Sequence, residues 1–388
     1  MKICYVGWGD HVHLERWAGY FADQGFEVTV ISMSGRGDYP GRVIQYPLGL
    51  ARRGSRWKVL KLRYLFWKIK PDVVHVHWAH FANLVASAWS GPLVVTVWGS
   101  EIWRLETHSR DAAESLTKGL DAADIVTCDS EDLSVRLKSL RKEGAGNVHV
   151  IQWGVNVKSF CPGAPDAILM AELGVSGRPV VFSPRSFRSL YNLESVVSAF
   201  ASVLSQVPNA VLLMKNYNGN ADYTHAIKQS IDDLGISESV RILDDIPYER
   251  MRDLYRISTV TVSVPLSDST PMSVLEAMSC GSVPIVSDLP ALREWVRDGW
   301  NGYLVPASDT NYLAAQIIDV LKHPEIAAEW ARRNRKLVEE KANQAEHMGY
   351  MTDIYRKVLK VGAEKGTRKG IAQLIALVSL FTGLQLDG

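Results

Sequence analysis

A chain of 388 residues, 47% of them hydrophobic and 22% charged, is long for one core and comfortable for two domains. Its formal charge of +1 argues against bulk nucleic-acid binding and leaves only local patches open. Cys4, Cys128, Cys161 and Cys280 are scattered without C-x-x-C spacing, so neither a zinc site nor a disulfide framework is expected, and a reducing, cytoplasmic setting is the simplest.

The opening MKICYVGWG meets glycine too early for a signal peptide and predicts a buried strand over Lys2 to Gly7. A glycine loop, a helix and a second strand follow as far as Ser32, which makes a βαβ start. Gly7 and Gly9 look like half of a dinucleotide fingerprint. Val12 stands where the third glycine belongs and no acid closes the strand near Ile31, which argues against an NAD site. His11, His13 and Glu15 come next, and for His11 and His13 there are two readings: lining a ligand cleft, or solvated residues of a loop or helix start.

Residues 51–70, ARRGSRWKVLKLRYLFWKIK, carry Arg52, Arg53, Arg56, Lys58, Lys61, Arg63, Lys68 and Lys70 and no acid, while Trp57, Leu60, Tyr64 and Trp67 recur at helical spacing. Such a helix suits peripheral membrane contact, where headgroups attract the cations and the rings enter the interface. It equally suits a helix packed on its own sheet with a solvated basic face. Strands are expected over Asp72 to Trp78 and from Leu93 to a turn at Glu101, both ending at the sheet edge where α/β proteins bind ligands. His75 and His77 would share a strand face, but no third metal ligand lies nearby. Asp124 to Cys128 and Val148 to Ile151 complete a first sheet, and the Pro-, Gly- and Ala-rich residues from Cys161 to Arg178 mark a boundary.

The second half opens on a strand from Val180 that leads into Arg185 and Arg188. Strands at Val211 to Lys215 and Val240 to Leu243, with a helix from Tyr223 to Leu234 between them, predict a second parallel sheet. The central stretch is VSVPLSDSTPMSVLEAMSCGSVPIV, Val262 to Val286, which reads strand, loop, helix, strand. Thr270 suits an N-cap and Pro271 the first helical position, so the N–H groups of Met272, Ser273 and Val274 should be open to a phosphate. Asp268 lies just before, and Glu276 sits one turn into an apolar helix, where a carboxylate needs hydroxyl partners. Past Thr310 the chain reads as helical to about Val361. The tail at 363–388 ends in an apolar run, IAQLIALVSLFTGL, of about 21 Å as helix against a hydrocarbon core of ~30 Å, too short to span. It could lie on a membrane, dock on the protein or pack against a partner.

The segment from Asp268 through Glu276, Ala277, Met278, Cys280 and Gly281 to Pro284 resembles the retaining glycosyltransferases of family 4, whose signature is an acid, seven residues, then Glu-Ala-Met. Gln152-Trp153-Gly154-Val155-Asn156, then Phe160 and Pro162, is similar to the pattern that closes the first domain in that family. The resemblance implies the GT-B fold: two Rossmann-like α/β domains with parallel sheets facing across a cleft. They would span 1–165 and 178–345, with a helix at 346–362 returning to the first domain. It implies transfer of a sugar, with retention, from a nucleotide-sugar donor to a glycan or lipid-linked acceptor in cell-envelope synthesis. No metal or other cofactor is implied, and neither is nucleic acid. Glu276 would bind the ribose, Asp268 the donor sugar, and Thr270, Pro271, Met272 and Ser273 the phosphate, with Gly9 facing the donor from the first domain. Arg185 matches the family's pyrophosphate arginine.

Two departures stand out. The family's pyrophosphate lysine is missing, its place falling at Tyr191 or Asn192, and Arg188 is the substitute candidate. Trp98 and Glu101 replace the histidine and aspartate of a His-Gly-x-Asp pattern, so His77 or the Trp98 face would meet the sugar, with His11, His13 and Trp98 on the acceptor side. Membrane contact would come from 51–70 and 365–388, which puts the protein in the cytoplasm at the inner membrane face. The departures leave a second reading, a GT-B protein that binds nucleotide sugars or assists assembly without turnover. An epimerase or phosphorylase of the same fold fits the signature less well.

Overall fold

The computed structural model describes residues 1–48, 55–103, 105–141, 145–244 and 246–360. The expectations for the tail at 363–388, and for Arg52 and Arg53, lie outside the described residues. The chain divides into two units, one made of 1–129, 133–151 and the described residues from 349 on, the other of 130–132 and 152–348.

The first unit is built on a seven-stranded sheet: β1 (Lys2–Gly7), β2 (Glu27–Ser32), β3 (Ile44–Pro47), β4 (Val73–His77), β5 (Leu93–Thr96), β6 (Ile125–Cys128) and β7 (Val148–Val150). All pairs are parallel, in the order β3-β2-β1-β4-β5-β6-β7. Its helices are α1 (Val12–Asp23), α2 (Ser55–Ile69), α3 (Ala82–Ala86), α4 (Ser100–Trp103), α5 (Arg110–Ala122) and α6 (Glu131–Leu140). β1, β4, β5 and β6 are near-continuous apolar runs because helices cover a parallel sheet on both faces. β3 was not anticipated. Its four residues IQYP are half exposed and end in proline, an edge-strand composition too short and mixed to show period-two patterning.

The second unit holds β8 (Val180–Ser183), β9 (Val211–Asn216), β10 (Val240–Asp244), β11 (Val260–Ser263), β12 (Val283–Ser287) and β13 (Tyr303–Val305). The order is β10-β9-β8-β11-β12-β13, again all parallel. The helices here are α7 (Ala167–Glu172), α8 (Leu193–Leu204), α9 (Ala221–Asp233), α10 (Met251–Ile257), α11 (Met272–Cys280), α12 (Pro290–Arg293), α13 (Thr310–Lys322) and α14 (Pro324–Lys341). Alternation sorts the strand residues between two cores: Val181, Leu212, Val262 and Ile285 pack with α8, α9 and α13, while Val180, Phe182, Leu213 and Val286 pack with α10, α11 and α14. Phe160, Leu169 and Val175 are buried in the second of these cores, so the Pro-, Gly- and Ala-rich stretch is folded into this unit. The division falls earlier, between Ile151 and Gln152.

A last helix, α15 (344–360), belongs to the first unit from residue 349 on. It delivers Tyr355 to a buried chain of hydrogen bonds. Tyr5 and Tyr355 hydroxyls are 2.9 Å apart, Tyr355 meets His75 Nδ1 at 2.7 Å, His75 Nε2 meets Thr96 at 2.6 Å, and Thr96 meets Thr127 at 2.6 Å. Register sets this up, since Tyr5 is paired with His75 and Thr96 with Thr127 across neighbouring strands. All four cysteines are free thiols. Among the described residues no helix is long and apolar enough to cross a membrane.

Candidate functional site

In each sheet the strand order reverses at one point, between β1 and β4 and between β8 and β11, the place where open α/β sheets hold their ligands. Arg185 leaves β8 and Asp268 follows β11, so the two residues singled out from sequence meet at the second reversal. Arg185 Nη2 lies 2.8 Å from Asp268 Oδ2, and its Nη1 donates to Ser273 Oγ at 3.4 Å. The guanidinium stacks on Tyr191, 4.1 Å from the ring centroid. Burial pushes the Asp268 carboxyl above its usual range, against the pull of Arg185.

The start of α11 differs from the expectation by one residue. Pro271, with φ −76° and ψ 112°, is the N-cap, and no side chain caps the helix. Thr270 is buried just before it, its hydroxyl accepting from Gln152 Nε2 at 3.5 Å. The expected trio of open amides is corrected to two. Val274 N–H is taken by Pro271 O at 3.0 Å, while Met272 and Ser273 precede any carbonyl the helix could offer them. Gly281 ends the helix with φ 99°, a left-handed cap that suits glycine.

Glu276 is only 4% exposed, and its hydroxyl partners are tyrosines. Tyr248 donates to Oε1 at 2.5 Å and Tyr255 to Oε2 at 3.3 Å. Asn192 is occupied in structure, its amide donating to the carbonyls of Val264 and Ala307. Arg188 does not join Arg185. Its Nε and Nη2 both donate to Asn218 O, at 3.1 and 2.9 Å, and it faces a separate cavity of about 610 Å³ with Ser189, Asn220 and Tyr223.

In the first unit, loops from β1, β4 and β5 gather aromatic rings. Gly9 sits where any side chain would collide, since a Cβ would lie 2.3 Å from Ser32 Oγ. Its carbonyl accepts from Tyr39. His11 is the N-cap of α1, its Nδ1 accepting from His13 N–H at 3.2 Å. His13 stacks on Trp98 with centroids 4.2 Å apart and planes 8° off parallel, so one Trp98 face is already covered. His77 is fully buried among Tyr5, Trp17 and Trp98, and neither ring nitrogen has a hydrogen-bond partner among the described residues. Burial drives its pKa well below the usual value, so it is neutral at physiological pH. As placed it backs Trp98 and does not reach a surface, which corrects the expected direct contact with a sugar. Glu101 is buried too, its Oε1 accepting from the N–H groups of Trp98 at 3.1 Å and Ala79 at 3.4 Å, which ties the β4 and β5 loops together.

Tyr248 and Tyr255 were not foreseen, because nothing local to either marks it as a partner for Glu276. Tyr191 was noticed only as the place of an absent lysine. Among the described residues no group of three or more His, Cys, Asp or Glu side chains is arranged to hold a metal.

Comparison with known proteins gives a family reading at both ends. The family model for glycosyl transferases group 1 matches residues 168–337, and that for glycosyl transferase 4-like proteins matches 2–130. N-acetyl-alpha-D-glucosaminyl L-malate synthase of Bacillus anthracis is 25% identical over 297 residues, covering 74% of this chain and 75% of its own. D-inositol 3-phosphate glycosyltransferase of Thermobispora bispora is 25% identical over 308 residues, with 75% and 69% covered. Among solved structures, Anabaena HepE in complex with UDP superposes with TM-score 0.79 at 16% identity, covering 92% of this chain and 100% of that one. Sucrose-phosphate synthase of Thermosynechococcus elongatus gives 0.78 at 19%, with 93% and 100% covered. The expected architecture of two parallel-sheet, Rossmann-like domains is the one found, and these structures share it.

Proposed function

From the group 1 glycosyltransferases, to which this chain belongs, we propose a retaining enzyme that moves a sugar from a nucleoside-diphosphate donor to a glycan or lipid-linked acceptor. The observation that carries the donor reading is the cluster at the β8/β11 reversal: Arg185, supported by Tyr191 and Asp268, beside the open amides of Met272 and Ser273. A stacked guanidinium and a helix start together offer a diphosphate a fork of donors and a positive end of the helix dipole. Glu276 then takes the ribose, with its tyrosines giving way or sharing, and Asp268 meets the donor sugar. Bound UDP and UDP-glucose in HepE support a uridine donor as the first to try.

In the reaction the bond from the anomeric carbon to the diphosphate oxygen breaks, and the acceptor hydroxyl oxygen forms its bond on the same face. The acceptor proton passes to the departing diphosphate oxygen. Charge growing on that oxygen is met by Arg185 and the start of α11, preorganised donors that need no rearrangement at the moment of bond cleavage. The reading assigns this neutralisation to protein groups and asks for no metal. His11, His13 and Trp98 form the acceptor side, with His77 behind them. Arg188 would meet the donor only from its own cavity. The acceptor is met at the inner face of a membrane, in cell-envelope synthesis, through the cationic and aromatic face of α2.

The test is calorimetric titration of the purified protein with UDP-, GDP- and ADP-sugars, followed by measuring donor consumption with a cell-envelope lipid extract. Binding of one nucleotide class, with consumption only when extract is added, is expected. Binding without consumption favours the non-catalytic binder, which the missing lysine motivates. Failure of all three classes to bind ends the donor reading.

A further inference from the structure

Helix α2 has two apolar faces, and the fold uses one. Leu62, Leu65 and Phe66 are buried, whereas Leu60, Tyr64 and Trp67 are 62%, 57% and 69% exposed. Arg56 and Arg63 share the outward stripe, because 56, 60, 63 and 67 are separated by four, three and four residues. Beside this stripe lies a cavity of about 530 Å³, lined by Arg56, Leu60 and Arg63, by Asn83 and Leu84 of α3, and by Ser115 of α5, with no carboxylate in its wall. Arg63 spends one Nη2 bond on Ser87 O at 3.0 Å. None of Arg56, Lys58, Lys61, Arg63 and Lys68 pairs with a carboxylate among the described residues.

Lys61 and Lys68 lie over the rings of Trp57 and Tyr46, but a surface that leaves cations without carboxylates next to exposed aliphatic and aromatic side chains suits a partner that is anionic at one point and apolar beside it. We propose that this cavity seats the phosphate of an anionic phospholipid, with Leu60, Tyr64 and Trp67 entering the bilayer interface around it. The arginine forks suit a phosphate, and the ring edges and Leu60 suit the acyl boundary. A nucleic acid would supply the phosphate but would gain nothing from Leu60. The inference rests on the membrane-side reading above and adds a defined headgroup seat to it.

Two measurements on the full chain separate the seat from the general reading. The first is flotation with phosphatidylcholine vesicles, with and without phosphatidylglycerol. The second is calorimetric titration with dihexanoyl phosphatidic acid, which is soluble and presents no charged surface. The double variant Arg56→Ala/Arg63→Ala is expected to lose dihexanoyl phosphatidic acid binding by about tenfold or more. Lys58→Ala/Lys68→Ala, which removes the same charge outside the cavity, should bind it as the parent does. Trp67→Ala should weaken flotation more than it weakens the soluble lipid. Unchanged thermal unfolding of each variant shows that it folds. Equal losses in the two double variants, or inorganic phosphate binding as tightly as the lipid, would overturn the seat. If vesicles bind but the soluble lipid does not, the seat fails and the membrane reading survives. If no vesicle binds, both fail.

Discussion

Glu276 stands in an apolar helix with two tyrosine hydroxyls among its partners, so its replacement separates two costs. Glu276→Ala leaves the fully buried Tyr255 hydroxyl without this acceptor, a stability loss of about 1–3 kcal/mol. It also removes ribose hydrogen bonds of roughly 1.5–3 kcal/mol each, so donor affinity should fall tenfold or more. Donor titration below the variant's unfolding range reads the second cost alone, and unchanged affinity there would sink the ribose assignment. Arg185 gives a complementary prediction. Arg185→Lys keeps the charge but loses the planar fork, the stack on Tyr191 and the reach to both Asp268 and Ser273. Turnover should fall by about tenfold to a hundredfold with a smaller change in acceptor KM, because the fork acts on charge that grows only in the transition state. A lysine variant with parental kcat would reduce Arg185 to a simple countercharge. Asp268 and Glu276 were legible in the sequence because a strand, a turn and a helix start frame them, whereas Arg185 was marked only by the family resemblance. Tyr248 and Tyr255 were not legible, since they lie 28 and 21 residues before the carboxylate they serve, and only tertiary packing brings α10, with Tyr255, and the turn before it, with Tyr248, onto α11.

Elements were legible where one period ruled. The buried parallel strands and the long helices fall where apolar runs and 3.6-residue spacing place them. β3 escaped because it is a short edge strand, and α2 was left open because period alone cannot tell which of two apolar faces turns inward. Packing decides that: Leu62, Leu65 and Phe66 face the protein, and the aromatic stripe faces out. α15 shows a different limit, since its pattern predicts a helix but not that Tyr355 closes a hydrogen-bonded chain between Tyr5 and His75. Tyr355→Phe removes one hydroxyl and leaves two buried polar groups short of a partner, so unfolding free energy should drop by about 1–3 kcal/mol. Tyr355 and the described residues of α15 from 349 on belong to the first unit, so hydrogen exchange should quicken in β1 and β4 and leave β8 and β11 as they were. Equal quickening in both sheets would mean that the chain unfolds as one body.

Across the whole molecule the buried imidazoles are unevenly shared. His75, His77 and His13, all in the first unit, are held neutral, chiefly by burial, with His75 pushed down to about 3 from 6.5 and the other two well below 6.5. His347 of the second unit is lowered too. An imidazole depressed in the folded state is protonated more readily in the unfolded chain, so unfolding takes up protons between pH 6.5 and about 3. The contribution is therefore complete above pH 6.5 and is lost as pH falls toward the folded value. Glu101, raised by burial, works the other way, its contribution present in acid and lost as pH rises, but it is one carboxyl against five lowered imidazoles in the same unit, since His80 and His149 are lowered as well. The first unit should accordingly loosen before the second on acidification. Hydrogen exchange at pH 7 and pH 5, corrected for the intrinsic chemical rate, should show protection falling in β1, β4 and β5 while β8, β11 and β12 hold. Equal protection in the first sheet at both pH values would mean that its histidines are not buried neutral, and the account of His77 as a fixed support behind Trp98 would go with it.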